Sequence, residues 1–490
     1  MGTKSRKNRK KSKQQSSTAL KWLLVTCGLL AVVVFIGVFV IKNFAINFLK
    51  SDSFRDYIIT ATEEKLHADI ELQQLRWEGS TVYADTWRAQ GHANAAFSKI
   101  EMDGMRATLD GVEDAALQIP EIRINQVSLE FSKQKRANDP STEVKAPSRD
   151  TKTSSSPIPS WLKNWVPNRV ETGVIHVGAT NLTFRDEQGT QQLALTSVET
   201  QSKPMSSPGS WEIQARNGQL SLANFPTLSI RKFETRWNHN DIFINQAELV
   251  FYDSAEISGS GDILLGSRPE LNLDLKLSNL DTANLLSADW KKKITGTLHG
   301  DFTIKGEPGK RSSLISKGKL QLKNGVIEGL PMLELIATYT KMQRFKRLAL
   351  HQASADFVKK GDRIEISKLI LQSDGLTRLE GSFTLVNRQI SNGKFRLGVT
   401  PGTLRWIPGA EQKVFTQAQD GFLWTPLVIS GSLDQPKEDL TARLTGAAIE
   451  TLVNDAPAQA TDAAKKILSN PSGAIDTGKK LIDSLIPLLK

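Results

Sequence analysis

From about Ile70 onward the chain consists of short runs in which apolar and polar residues alternate, each closed by Gly, Asn, Asp or Pro. In LNLDLKLSNL, Leu271, Leu273, Leu275 and Leu277 alternate with Asn272, Asp274, Lys276 and Ser278, so an extended strand carries every leucine on one face. The same grammar gives Phe302 and Ile304 in GDFTIKG, Leu320 and Leu322 in GKLQLKNG, and Ile364 and Ile366 in DRIEI. It returns in GSFTL (Phe383, Leu385) and GKFRLGV (Phe395, Leu397, Val399). Earlier examples are Ile122, Ile124, Val127, Leu129 and Phe131, and then Leu182 with Phe184. Together the runs predict a mainly β fold of roughly 16–20 strands, mostly about five to seven residues long.

Other segments break this period. Residues 22–41, opening at Trp22 and ending at Ile41, carry no charge and have about the length that a transmembrane helix needs. The preceding 1–21 contain eight Lys or Arg and no acid, which predicts a cytoplasmic N-terminus and the bulk of the chain on the far side. A cleaved signal peptide is the rival reading, but its apolar stretch is usually only ~7–15 residues and ends at a small-residue site, whereas KNFAINFLK follows Ile41.

Over 42–69 a juxtamembrane helix is predicted from Ser53 to Leu66, where Ser53 and Asp56 have helix-start spacing. A first strand group then covers 70–132. Residues 133–160 are charged, Ser/Thr-rich and Pro-containing, which predicts a flexible polar loop. The main strand region spans 161–445 and includes a helix over 331–347, with Pro331 in its first turn. The last segment, 446–490, reads as amphipathic and helical from about Ala460, too short to cross a bilayer and suited to a surface or capping helix.

Charge changes the picture little. Of the formal +11, residues 1–21 supply +8 and all the rest only +3, so the basic pI reflects membrane topology and lipid headgroups, and nucleic acid is not expected as a partner. The single cysteine, Cys27, lies within the apolar span, which leaves the rest of the chain without an intramolecular disulfide or a thiolate metal site.

Chemistry-bearing motifs are scarce. Histidines at 67, 92, 176, 239, 299 and 351 are scattered, with no paired metal-ligand spacing. Gly259, Gly261 and Gly266 miss the dinucleotide spacing and read as a turn; GEPGKRS misses that of a phosphate loop; and no G-x-S-x-G is present. The sequon Asn181-Leu182-Thr183 matters only in a eukaryotic secretory route. No catalytic residue, metal ligand or cofactor is expected, although paired acids distant in sequence remain an enzyme alternative.

The repeated apolar face is therefore the informative feature. Two such faces packed together form a closed core. A membrane anchor, many strands and few helices to cover them favour instead an elongated, curled antiparallel sheet forming an apolar groove. Such a trough suits lipid: extracting about 30 methylenes from a bilayer costs on the order of 25 kcal/mol at ~0.8 kcal/mol each, most of which a hydrocarbon path avoids. The candidate groove face is Leu271, Leu273, Leu275, Leu277, Phe302, Ile304, Leu320, Leu322, Ile364, Ile366, Phe383, Leu385, Phe395 and Leu397. About 18 strands at ~4.8 Å each would make it roughly 85 Å long.

The order of basic tail, span, short helix and amphipathic strands resembles the AsmA-like family of bacterial envelope proteins. The block from Gly318 to Pro331, GKLQLKNGVIEGLP, followed by MLELIATYT, resembles that family's strand, turn, strand, Gly-x-Pro, helix pattern, and SGSLDQP (Ser430 to Pro436) its terminal strand. The resemblance implies a single-pass inner-membrane protein with a periplasmic β-groove, related in architecture to bridge-like lipid transfer proteins. It further implies membrane phospholipids as partners and a role in phospholipid transport or outer-membrane homeostasis, with no catalytic site to carry over. The alternative from another class is an assembly factor that binds other envelope proteins at its strand edges. Oligomeric state is left open by either reading.

Overall fold

The computed structural model describes residues 52–113, 116–132, 169–308, 310–433 and 436–455. The expected span at 22–41, the loop at 133–160 and the helix from 460 lie outside the described residues, among which no helix is long and apolar enough to cross a membrane. The described chain is mainly β and divides into two compact units near Phe251, with Ser258–Leu271 belonging to the first and Tyr252–Ile257 to the second.

The first unit opens with helix α1 (Asp52–Leu66). Strands β1 (Ala68–Leu72), β2 (Arg76–Glu78), β3 (Thr81–Gly91), β4 (Lys99–Thr108), β5 (Gly111–Glu113) and β6 (Ala116–Ser132) follow. After them come β7 (Arg169–Arg185), β8 (Gln191–Pro204), β9 (Ser210–Arg216), β10 (Gln219–Leu222), β11 (Leu228–Asn238) and β12 (Asp241–Phe251). His67, at φ 52°, turns the chain from α1 into β1, and the Glu63 carboxylate accepts the Ile70 N–H at 3.2 Å, fixing that corner.

In this unit Ile70, Ala89, Ile100 and Leu129 stand opposite one another across β1, β3, β4 and β6, and Leu72, Trp87, Met102 and Val127 form the next row. All are buried, with Trp87 and Ile100 at 0% exposure, and Ile59 of α1 packs against their cluster. The first strand group is thus a closed core.

The sheet is not purely antiparallel as expected. β6 and β7 pair in parallel over their whole length, Ile122 beside Ile175 and Phe131 beside Phe184. A parallel pair needs a connection that carries the chain back to its starting end, and the polar segment between Ser132 and Arg169 is that connection. What reads in sequence as a spacer therefore has a topological task.

The second unit contains most of β14 (Glu270–Asp281), the short helix α2 (Ala288–Lys291), β15 (Ile294–Gly306), β16 (Ile315–Glu328), helix α3 (Pro331–Thr340), β17 (Arg347–Ala349), β18 (Gln352–Lys360) and β19 (Arg363–Ser373). It continues through β20 (Thr377–Val386), β21 (Gln389–Val399), β22 (Gln417–Gln419), β23 (Phe422–Leu427), β24 (Ile429–Ser432), β25 (Pro436–Glu438) and helix α4 (Leu440–Asp455). Strands β15, β16, β18, β19, β20 and β21 are antiparallel neighbours in that order.

The described residues hold 25 strands, with β6 and β7 17 residues long and β16 14, so the expectation of fewer and shorter strands is corrected. The cause is local. Ladders continue through β-bulges, each an extra residue that shifts the alternation by one, and the sequence then looks as though a strand has ended. Asn324 (φ 51°) lies at the bulge of β16, Lys368 (φ 48°) at that of β19 and Asn392 (φ 51°) at that of β21. The turn expected at KNG within GKLQLKNGVIEGLP is likewise one of these bulges. Gly259 and Gly261, read as a turn, lie within strand β13 (Ala255–Leu264). The expected helix at 331–347 ends at Thr340, where Lys341 is left-handed at φ 56°. Helix α4 begins at Leu440, before the expected 446, because the Glu438 carboxylate accepts the Leu440 and Thr441 N–H groups at 2.5 and 3.0 Å.

Gly318 faces Phe302 across β15 and β16, and a Cβ there would lie 2.2 Å from the Asp301 carbonyl and 2.4 Å from Phe302 Cβ. Gly318→Val is therefore expected to destabilise the protein by about 1–3 kcal/mol, read as a lowered melting midpoint. Gly266→Ala, with nothing within 4 Å of its Cβ position, is expected to stay within about 0.5 kcal/mol of the parent.

Candidate functional site

Residues directly opposite on an antiparallel ladder share a face, so the registers of the second unit decide which apolar side chains meet. Phe302, Gly318, Phe357, Ile366 and Phe383 form one row across β15, β16, β18, β19 and β20. Ile304, Ser316, Lys359, Ile364, Leu385 and Ile390 form the row beside it, reaching β21. Leu320 and Leu322 stand on the same face opposite Gly300 and Leu298, and Phe395 and Leu397 opposite Gly381 and Leu379. The candidate residues from Phe302 to Leu397 are thus brought onto one face. Phe302 and Phe357 lie 6.1 Å apart between ring centroids, and Phe383 and Phe395 5.7 Å. Leu271, Leu273, Leu275 and Leu277 alternate along β14 and share one side of that strand; Leu277 is buried and the other three are half-buried.

Coverage of this face differs along the strands. At one end Ile327, Leu348, Leu397, Val399 and Leu427 are buried beneath Leu333, Ile336 and Ala337 of α3 and Leu440, Leu444 and Ala447 of α4. Phe345 and Phe415, both at 0% exposure, complete this lid. Toward the other end, Phe302, Ile304, Leu320, Leu322, Phe357, Ile364, Ile366, Phe383 and Leu385 belong to no buried cluster and remain partly accessible. A single strand shows the gradient: on β21 Val399 is at 0% and Leu397 at 3%, whereas Phe395 and Ile390 are half-buried.

The opposite face is mostly polar, with Ile315, Val358 and Val386 standing exposed on it. Asp301, Lys319 and Asp356 stand in one row, and Glu365 faces Val358 and Thr384 in another. Further along, Glu380 accepts from Arg378 Nε and Arg396 Nη2, both at 2.6 Å, while the Arg396 guanidinium lies 4.3 Å from the centre of the Trp424 ring. Burial works to raise the Glu380 carboxyl, but the bonds from Arg396 and Arg378 outweigh it and hold the group below the ordinary carboxylate range. His299 is held below its ordinary value by burial first and then by the charges of Lys323 and Lys276. Among the described residues no group of three or more His, Cys, Asp or Glu could hold a metal ion.

Sequence reasoning missed Phe357, Leu371, Leu379 and Ile390 on this face. Phe357 follows two alanines in ASADF, a weak apolar alternation, while Leu371 and Ile390 lie across a bulge from the runs that were recognised. Leu379 was readable, two residues before Gly381 and four before Phe383.

No family model, curated protein or solved structure matches this chain.

A carboxylate held below its ordinary range stabilises the fold fully above its unfolded-state value, and the contribution disappears as the pH falls through its folded-state value. The melting-point gap between the parent and Glu380→Gln is accordingly expected to be widest near neutral pH and to close on acidification below the normal carboxylate range.

Proposed function

We propose that this chain is a membrane-anchored envelope protein whose apolar sheet face holds acyl chains and supports phospholipid transfer between membranes or outer-membrane homeostasis. The observation that carries the reading is the uncovered half of the apolar face in the second unit. Folding left large side chains partly accessible next to a region where helices α3 and α4 bury the same face completely. Contiguous accessible apolar surface is a binding feature more often than a structural one. The chemistry of the face suits alkyl chains: Phe, Ile and Leu supply dispersion and hydrophobic contact without direction, and no polar group there demands a hydrogen-bonding partner other than Ser316 and Lys359 at its margin.

The mechanism is passive. Each methylene moved from a bilayer onto this surface exchanges one hydrocarbon environment for another, so the ~0.8 kcal/mol per methylene of exposure to water is largely not incurred. Glycines on the apolar side, Gly318 and Gly381 among them, leave room for Phe302 and Phe395 to sit close on the neighbouring strand, where a Cβ would collide. The span at 22–41 would place such a surface beside its source of lipid, and the resemblance to the AsmA-like family supports the same reading.

The full chain extracted in mild detergent is expected to carry phospholipid detectable by mass spectrometry. Phe383→Asp or Ile366→Asp should reduce that load about tenfold or more, because setting a carboxylate against hydrocarbon costs well over the ~1.4 kcal/mol that makes a factor of ten. Gln321→Asp, an exposed position on the opposite face, should leave it unchanged. A parent protein that carries no acyl chain would overturn the reading.

A further inference from the structure

At the uncovered end of the apolar face the strands run out together: β15 stops at Gly306, β16 starts at Ile315, β18 stops at Lys360, β19 starts at Arg363, β20 stops at Val386 and β21 starts at Gln389. This edge is strongly cationic. Lys305 and Lys360 flank Ile315 on the last rung, and Arg363 stands opposite Lys360. Lys310 and Arg388 lie in the adjoining turns. The acids nearby are fewer: Glu307 pairs with Lys310 at 3.2 Å, Glu365 with Arg363 at 2.8 Å, and Asp362 sits in the turn after Lys360. Among the described residues no carboxylate lies within ion-pair distance of Lys305, Lys359 or Lys360.

Lys359 is the most telling of these residues. It stands on the apolar face between Ser316 and Ile364, one position along that face from Phe357. Its ammonium turns outward to the Gly361 carbonyl at 3.1 Å. The aliphatic stem thus extends the hydrocarbon surface while the charge is carried to the edge, as lysines do at a boundary between oil and water.

We infer that this edge is the headgroup lip of the trough, and that the lipid it selects is anionic. The proposal rests on the reading that the adjacent face holds acyl chains. A strand rises about 3.3 Å per residue, so the phosphate of a lipid whose chains end against Ile304, Ile364 and Leu385 comes to lie beside Lys359 on the same face, while Lys305, Lys360 and Arg363, which alternation sets on the other face of the last rung, add to the positive field at the edge. A zwitterionic headgroup brings its own cation into this field and gains less from it. The occupant is a lipid held in the trough, and the test separates it from a free phosphate bound at the edge.

The full chain in nonionic detergent is loaded with fluorescent phosphatidylglycerol or with phosphatidylcholine of identical acyl chains, and retained label is measured after size exclusion. The expected result is a preference for phosphatidylglycerol of about tenfold at low salt, since basic side chains attract an anionic headgroup. That preference should shrink at high salt and persist in excess inorganic phosphate. Combined Lys305→Gln, Lys359→Gln and Lys360→Gln should lower phosphatidylglycerol loading to the level of phosphatidylcholine; if that variant does not fold, Lys360→Gln alone, an exposed site, should show a partial loss of preference. Equal loading by the parent, a preference that survives in the variant, or one abolished by inorganic phosphate would overturn the anionic lip and leave the chain-holding face standing. Loading of neither lipid by the parent would instead overturn that underlying reading, and this proposal with it.

Discussion

Register is the constraint on which the rest of this protein depends. Because side chains alternate along a strand, a slip of one residue would send a strand's whole apolar set to the other face. In the second unit, rows such as Phe302, Gly318, Phe357, Ile366 and Phe383 exist only because successive ladders hold phase. The bulges preserve that phase where the spacing changes. In β19 the step from Ile366 to Leu369 would put these two on opposite sides of a regular strand, and the extra residue at Lys368 returns Leu369 and Leu371 to the face of Ile364 and Ile366. Asn and Lys at such positions are tolerated because a single residue at positive φ costs little beside the loss of a whole apolar row.

Coverage then divides the apolar face into two roles. Where α3 and α4 lie across the strand ends, side chains such as Val399, Ile336 and Leu440 reach 0% exposure and supply hydrophobic stabilisation at roughly 25 cal/mol per Å² buried. Away from α3 and α4, Phe302, Phe383 and Leu385 stay partly accessible and forgo part of that gain. Stability left unclaimed in a contiguous block is the pattern expected where a surface is reserved for a ligand. The first unit shows the contrast, since its β1 to β6 rows, including Trp87 and Ile100, are fully buried.

Much of this was legible in the sequence, and the illegible parts have definite causes. Leu320 with Leu322 and Phe383 with Leu385 declare their face because their runs alternate without a break. Phe357 does not, because its partners in alternation are alanines, and Ile390 does not, because Asn392 and the bulge beside it separate it from Phe395. The parallel pairing of β6 with β7 could not be read at all: strand direction in a sheet is set by how the chain returns, and KQKRANDPSTEVKAPS carries no pattern that encodes a destination. Nor does alternation say which end of a strand a helix will cover. That required knowing that α3 and α4, far apart in sequence, cap the same end.

The separation of a nondirectional surface from a charged edge bears on selectivity. An apolar face distinguishes ligands by area and hardly at all by identity, because the hydrophobic contribution scales with surface removed from water and has no angular preference. Phospholipids of one membrane share similar acyl chains, so in the proposed function the Phe, Ile and Leu rows would retain them without sorting them. In that proposal discrimination comes from polar groups held at a fixed offset from the chains, and strand geometry supplies that offset: Lys359 lies two residues beyond Phe357 on the same face. In the proposed function a replacement on the rows and a replacement at the edge would therefore fail in different ways, one lowering the hold on lipid and the other only the distinction between lipids.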